Sequence, residues 1–312
     1  MQTPMVSIYV PIFNHENYLT RALDSILMQQ TQFSYEVLVG EDCSTDNSRQ
    51  VLQDWEAAHP GVCTMFYRTE NMHRSVPNNA GDLKSRCRGK YIICLEGDDF
   101  WTDPHKLETQ VAFLEENPEY YAVAHNCTVV GADDQPNGER YPQCCDTEYS
   151  FRHFASQILP GQYATFLSRN YLLDEGFDKT LLNHKGGPGD QKIYFSALCH
   201  GKIHCIQKSM SAYRHIVKGG SSFSATNTYS FPREEAFNRA FMDYAIQIGH
   251  KNALKYAEFI YLRCIRHAQR TGHIQSAQAN QYKKSIPHLL RAKFLLAKRD
   301  VNCRILHKTL HV

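Results

Sequence analysis

Short apolar runs and segments of helical period take turns through the first 130 residues, and this alternation narrows the fold more than any other feature. The runs predict strands over 6–10, 36–39, 62–67, 91–95 and 122–130. Between them, helices are expected over 17–29, 46–59, 79–87 and 104–117, the last with Asp103 as N-cap and Pro104 at the first helical position. Strands that are apolar along their length and separated by helices make a parallel sheet covered on both faces. Ligands of such sheets bind in the crevice beyond the carboxyl ends of the strands. That rule selects residues 11–17, 40–46 and 96–103, all polar and rich in Asn, Asp and Glu.

After residue 131 the alternation fades. A turn-rich loop over 131–146 is followed by a short helix over 151–159, a helix over 190–200, strands over 203–206 and 210–214, and mostly helix over 233–272. The formal charge, 34 basic minus 32 acidic residues or +2, gives no broad field for nucleic acid. No apolar run approaches the roughly 20 residues that span a bilayer, and the first residues lack the pattern of a secretory signal. Eleven cysteines, odd in number and irregular in spacing, suit reduced thiols in a cytoplasmic protein. The pairs Cys199-His200 and His204-Cys205 match no familiar zinc spacing.

Chemistry is expected at the strand ends. Glu96-Gly97-Asp98-Asp99 leaves an apolar strand directly, and three clustered carboxylates repel one another unless a cation offsets them. All-oxygen ligation suits Mg²⁺ or Mn²⁺. The same four residues also suit a solvated acidic turn ahead of the next helix. Pro11-Ile12-Phe13-Asn14 and Glu41-Asp42-Cys43-Ser44-Thr45-Asp46-Asn47-Ser48 occupy the neighbouring strand ends, where amides and carboxylates can read a base or ribose or simply cap the following helices. Neither a Walker loop nor G-x-G-x-x-G follows the first strand, which removes the best support for a dinucleotide oxidoreductase. Gly186-Gly187-Pro188-Gly189-Asp190 leads into a helix with Asp190 at or near its N-cap.

Taken in order, Pro11 to Asn14, Glu41 to Ser48 and Gly89 to Leu107 resemble the nucleotide-sugar half of family 2 glycosyltransferases. The resemblance implies an α/β fold of the GT-A type, a mixed but mainly parallel sheet with helices on both faces, and transfer of a sugar from a nucleotide diphosphate. It implies that Asp42 meets the base, usually uracil, with Pro11, Asn14 and Glu41 beside it. Glu96, Gly97 and Asp98 fall on the family's D-x-D positions with Glu in place of the first acid, which leaves Asp98 and Asp99 for ribose and metal. Arg86 and Lys84, upstream of that strand, are candidates for the diphosphate. Asp190 falls on the family's catalytic base, and Arg214, His215 and Lys218 on its diphosphate, metal and lid segment, although His215 follows Arg214 directly where many members have a residue between them.

The expected organisation is a nucleotide-binding half over 1–130, an acceptor half over 131–230 and a helical extension over 231–312. Residues 287–312 set six basic groups against the single acid Asp300 among apolar positions, a pattern that fits either a helical core element or an anionic lipid surface on the inner face of the membrane. The expected activity is inverting transfer to a glycan or lipid-linked acceptor. A retaining transferase, a nucleotide-sugar hydrolase and a non-catalytic nucleotide-sugar-binding scaffold are the alternatives.

Overall fold

The computed structural model describes residues 3–73, 75, 77–216 and 229–309, with side chains as far as Asp300. Among the described residues nine strands form one sheet: β1 (Val6–Ile12), β2 (Tyr35–Glu41), β3 (Thr64–Tyr67), β4 (Tyr91–Cys94), β5 (Phe100–Trp101), β6 (Tyr120–Val130), β7 (Glu148–Tyr149), β8 (Leu167–Arg169) and β9 (Lys202–Arg214). Their order is β3-β2-β1-β4-β8-β6-β9-β5, with β7 also on β9. The strands β3, β2, β1 and β4 are mutually parallel, as the alternation requires. The sheet is mixed rather than wholly parallel because β8 inserts antiparallel between β4 and β6. At three residues, β8 is too short to show a period in sequence. The two strands expected over 203–206 and 210–214 are one strand, β9, whose register against β6 shifts at residues 202–203 and again across 206–211.

Helices α1 (Leu19–Leu27), α2 (Ser48–Ala58), α3 (Asn79–Ser85) and α4 (Lys106–Glu116) follow β1, β2, β3 and β5. Alternate residues of the central strands (Ile8, Val10, Val37, Val39, Ile93) pack with Leu19, Leu23 and Ile26 of α1, Leu52 and Trp55 of α2, and Leu107, Val111 and Leu114 of α4 in one core. Each such fully buried aliphatic side chain is worth roughly 1.5–3 kcal/mol relative to exposure. The intervening residues, Tyr9 of β1 and Cys94 of β4 among them, point to the other face. There α3 packs on β1 and β2. Helix α4 begins two residues later than expected. His105 is its N-cap, and Asp103 turns the chain into it by accepting from the His105 N–H at 2.8 Å.

The chain divides into two compact units. The first holds residues 1–149, 158–177 and 200–222, and the second 150–157, 178–199 and 223–312. The second contains α5 (Phe151–Ala155), nearly all of α6 (Gly189–His200), α7 (Phe231–Gln247), α8 (Lys251–Arg270), α9 (Ser276–Lys284) and α10 (Leu289–Thr309). Its core is aromatic, with Phe195 against Phe151, Phe154 and Phe241, and Phe237 against Phe241. Glu258 of α8 is fully buried. One of its oxygens accepts from the backbone N–H and Nδ1 of His288 at 2.9 and 2.7 Å, and the other pairs with Arg291 of α10 at 2.6 Å.

Candidate functional site

The crevice is built where three parallel strands end. The Asp42 N–H donates to the Ile12 carbonyl at 2.9 Å and the Gly97 N–H to the Pro11 carbonyl at 3.4 Å, so the segments after β1, β2 and β4 are joined beyond the sheet. Asn14 and Cys43 both adopt positive φ, 57° and 56°, and turn the chain back at the ends of β1 and β2. Asn tolerates this region better than most residues, and Asn14 also stitches the two turns together. Its Oδ1 accepts from the Thr45 N–H at 2.8 Å, and its own N–H donates to Ser44 Oγ at 3.0 Å.

Glu41 and Asp42 are adjacent but unlike. Glu41 is fully buried, with one oxygen accepting from the Ser44 N–H at 2.6 Å and the other from Arg49 Nε at 2.6 Å. It therefore holds the turn. Asp42 accepts from the Met72 N–H at 2.7 Å through Oδ1 alone. Among the described residues nothing donates to its other oxygen. Burial pushes the Asp42 carboxyl above its ordinary range, against the lowering effect of the Met72 bond and the Arg68 charge. Arg49 and Met72 were not legible as site residues, because their part depends on where the turns bring them.

The acids after β4 divide in the same way. Glu96 is exposed, and the Asp98 side chain is 33% exposed with an oxygen 3.9 Å from His15 Nε2. Between them, a Cβ on Gly97 would sit 2.6 Å from His15 Nδ1, so any side chain there would push the His15 ring aside. Asp99 is buried and spoken for: Gln162 Nε2 donates to Oδ2 at 2.7 Å and the Arg214 N–H to Oδ1 at 2.8 Å. Burial, then the charges of Asp98 and Glu96, holds its carboxyl well above the usual range.

Arg214 carries the opposite charge into the same region. Its guanidinium donates to the Asp98 carbonyl at 2.8 Å and the Gly131 carbonyl at 2.6 Å, pairs with Asp134, and lies 4.0 Å from the Tyr18 ring centroid. With the side chain 1% exposed, the fork expected to face a phosphate faces the protein instead. His215 Nδ1 pairs with Glu139 at 2.5 Å. Arg86 is engaged with both oxygens of Asp82, at 3.0 and 3.1 Å. Lys218 lies outside the described residues.

Asp190 belongs to the second unit, as the second residue of α6 rather than its N-cap. Its Oδ1 accepts from the Gln191 N–H at 2.8 Å, and burial pushes the carboxyl upward. Gly186 and Gly187 reach it through positive φ, 86° and 70°. A Cβ on Gly187 would meet the Phe237 ring at 2.1 Å, which excludes any side chain there.

Among the described residues no three His, Cys, Asp or Glu side chains converge as a closed metal site. The acids nevertheless fit a hard divalent ion. Such ions are commonly held by one or two carboxylates with the remaining ligands from water and substrate phosphates, and Asp98 presents an open carboxylate beside exposed Glu96.

Residues 7–170 match the family model described as glycosyl transferase family 2. The chain belongs to that family. Chondroitin synthase of Escherichia coli is 30% identical over 224 residues, covering 66% of this chain and 31% of the synthase. Uncharacterized proteins of Mycobacterium also match, and the chain spans 58% of their length. The GT-A architecture is that of S. aureus TarS in complex with UDP-GlcNAc, with a TM-score of 0.59, 18% identity and coverage of 92% of this chain and 81% of that one. A mannosyltransferase from Pyrobaculum calidifontis in complex with GDP-Man and Mn2+ shares it at a TM-score of 0.50 and 16% identity, covering 94% and 87%.

Proposed function

We propose that this family 2 member is a metal-assisted, inverting glycosyltransferase that moves a sugar from a nucleotide diphosphate, UDP in preference to other nucleotides, to a hydroxyl of a glycan or lipid-linked saccharide. The observation that carries this reading is the pair of acids that follow β2 and β4 on either side of β1, Asp42 and Asp98: among the described residues no donor claims the second Asp42 oxygen and Asp98 meets His15 at a distant 3.9 Å, while their neighbours Glu41 and Asp99 are consumed internally. Asp42 serves the base, with Pro11 and Asn14 shaping its pocket. Asp98 holds the ion, which when bound offsets charge on the diphosphate leaving group. Glu41, Asp99 and Arg214 brace these groups. Asp190 accepts the acceptor's proton as the hydroxyl attacks the anomeric carbon from the face opposite the diphosphate, which inverts the configuration. A carboxyl raised by burial is a stronger base for that step. The S. aureus structure in complex with UDP-GlcNAc and the Pyrobaculum structure in complex with GDP-Man and Mn2+ support a nucleotide-sugar donor and a divalent ion. Chondroitin synthase supports a glycan acceptor.

Calorimetry with UDP, GDP, dTDP and CDP, in Mn²⁺ and then in EDTA, tests the reading. UDP is expected to bind in Mn²⁺ and to weaken about a hundredfold in Asp98→Ala, the order expected for a charge-assisted ligand. Binding of no nucleotide under any condition overturns it.

The site of action we propose is cytoplasmic, peripheral on the inner face of the membrane. No described helix is long and apolar enough to cross a bilayer. On α10, Leu290 and Phe294 are 81% and 68% exposed, and Lys293 and Lys298 are exposed on the same helix. Apolar residues flanked by lysines suit an anionic surface. Co-sedimentation with phosphatidylglycerol vesicles but not phosphatidylcholine vesicles is expected, reduced about tenfold in Phe294→Glu. Equal recovery with both lipids would refute a charge-guided contact.

A further inference from the structure

His15 is held over the acidic turn by its own backbone. Its N–H donates to Ser48 Oγ at 2.7 Å, and its carbonyl accepts from the Tyr18 and Leu19 N–H groups at 2.9 and 3.0 Å where α1 begins. The ring lies against Gly97, where a Cβ would come within 2.6 Å of Nδ1 and 3.5 Å of Cγ. The residue between Glu96 and Asp98 is thus one that leaves room for an imidazole. Its side chain is 13% exposed, and its two nitrogens have unlike surroundings. Nδ1 is buried and has no hydrogen-bond partner. Nε2 faces Asp98, whose Oδ2 at 3.9 Å is too far for a hydrogen bond.

A neutral imidazole carries one N–H. Placing it on Nδ1 would bury a donor that nothing accepts, at a cost of about 1–3 kcal/mol. Buried acceptors are left unpaired more readily than buried donors. The proton therefore sits on Nε2, and a doubly protonated ring carries one there as well. Metal ligation through Nε2 would need its lone pair and would send the proton to the enclosed Nδ1, where a ligating histidine ordinarily has a partner. His15 is instead a donor with no acceptor within reach among the described residues, beside the carboxylate that holds the ion under the proposed function.

An ion at Asp98 brings the oxygens of a diphosphate to the same turn. The arginines expected to meet those oxygens are spent inside the protein, Arg214 on two backbone carbonyls and Asp134, and Arg86 on Asp82. We infer that the His15 Nε2–H donates to the diphosphate of the nucleotide sugar. The contact binds the donor and strengthens as charge moves onto the leaving group. This inference rests on the nucleotide-sugar reading above and adds a residue to it.

The test is calorimetry of UDP in Mn²⁺ on wild type, His15→Ala and His15→Gln, each checked by thermal melt, with binding of Mn²⁺ alone followed by electron paramagnetic resonance. His15→Ala is expected to weaken UDP about 10- to 100-fold, the range for a hydrogen bond to a charged group, with Mn²⁺ affinity in the absence of nucleotide held within about twofold. His15→Gln, whose amide N–H has a similar reach, should recover most of the loss. Undiminished UDP affinity in a folded His15→Ala overturns the inference and leaves the donor reading intact. A parallel loss of Mn²⁺ affinity assigns His15 to the ion or to the orientation of Asp98 and also overturns it. Equal losses in the Ala and Gln variants reduce the ring to packing on Gly97, which overturns it too. Failure of wild type to bind UDP at all overturns both readings together.

Discussion

Asp190→Asn is expected to lower the transfer rate about a thousandfold while leaving nucleotide affinity unchanged, since a positioned general base contributes roughly 10²–10⁴. The amide keeps the size of the carboxylate and its bond to the Gln191 N–H through the same oxygen, but it cannot take a proton. The pH profile adds a second signature. Burial raises the Asp190 carboxyl, and the base works only when ionised. Activity is therefore present above the raised value and lost as pH falls through it, so the acid limb of kcat/KM lies above the ordinary carboxylate range. Steady-state rates of wild type and variant from pH 4 to 8, with calorimetry of the donor, supply the measurement. An Asp190→Asn enzyme of undiminished rate would remove Asp190 from the chemistry and favour a retaining enzyme.

Arg214→Met should act on stability before it acts on the donor. The substitution leaves the Asp98 and Gly131 carbonyls and the Asp134 carboxylate without the donor that satisfies all three. Breaking a buried pair by removing one partner costs about 3–5 kcal/mol. Asp134, 25% exposed, keeps its pair with Arg21 and recovers part of the rest from water, so the low end of that range, about 3 kcal/mol, is expected, or roughly 6–12 °C in Tm. Calorimetric melting measures it. A phosphate contact would reverse the pattern, with the melt unmoved and donor affinity lost.

The central architecture was legible because its physics is local. The apolar runs at β1, β2 and β4 and the four-residue repeat of α1 each state their own geometry. The rule that ligands lie beyond parallel strand ends then located the crevice. What sequence did not disclose is which member of each acidic pair is free. Glu41 and Asp42 look alike in the chain, and so do Asp98 and Asp99. Only the fold brings Arg49 onto Glu41, and Gln162 and the Arg214 N–H onto Asp99. The internal bonds of Arg214 were hidden for the same reason. A guanidinium near a lid segment suggests phosphate, and the residues that claim it, Asp134 and the Gly131 carbonyl, lie 80 or more positions away. His15, whose Nε2 faces Asp98, was passed over because nothing about a lone histidine after a strand marks it.

The clamp on Glu258 bears on how the chain can be shortened. The exposed apolar side chains of α10 invite removal of the C-terminal helix to obtain a better-behaved protein. A chain cut before His288 would strand a buried carboxylate on α8, stripped of the donors that the described residues give it. Trimming after Arg291 keeps those donors but leaves only three residues of α10 to hold them in register. The safer edit is to leave the helix whole and change Leu290 and Phe294, which carry the exposed apolar surface and take no part in the clamp.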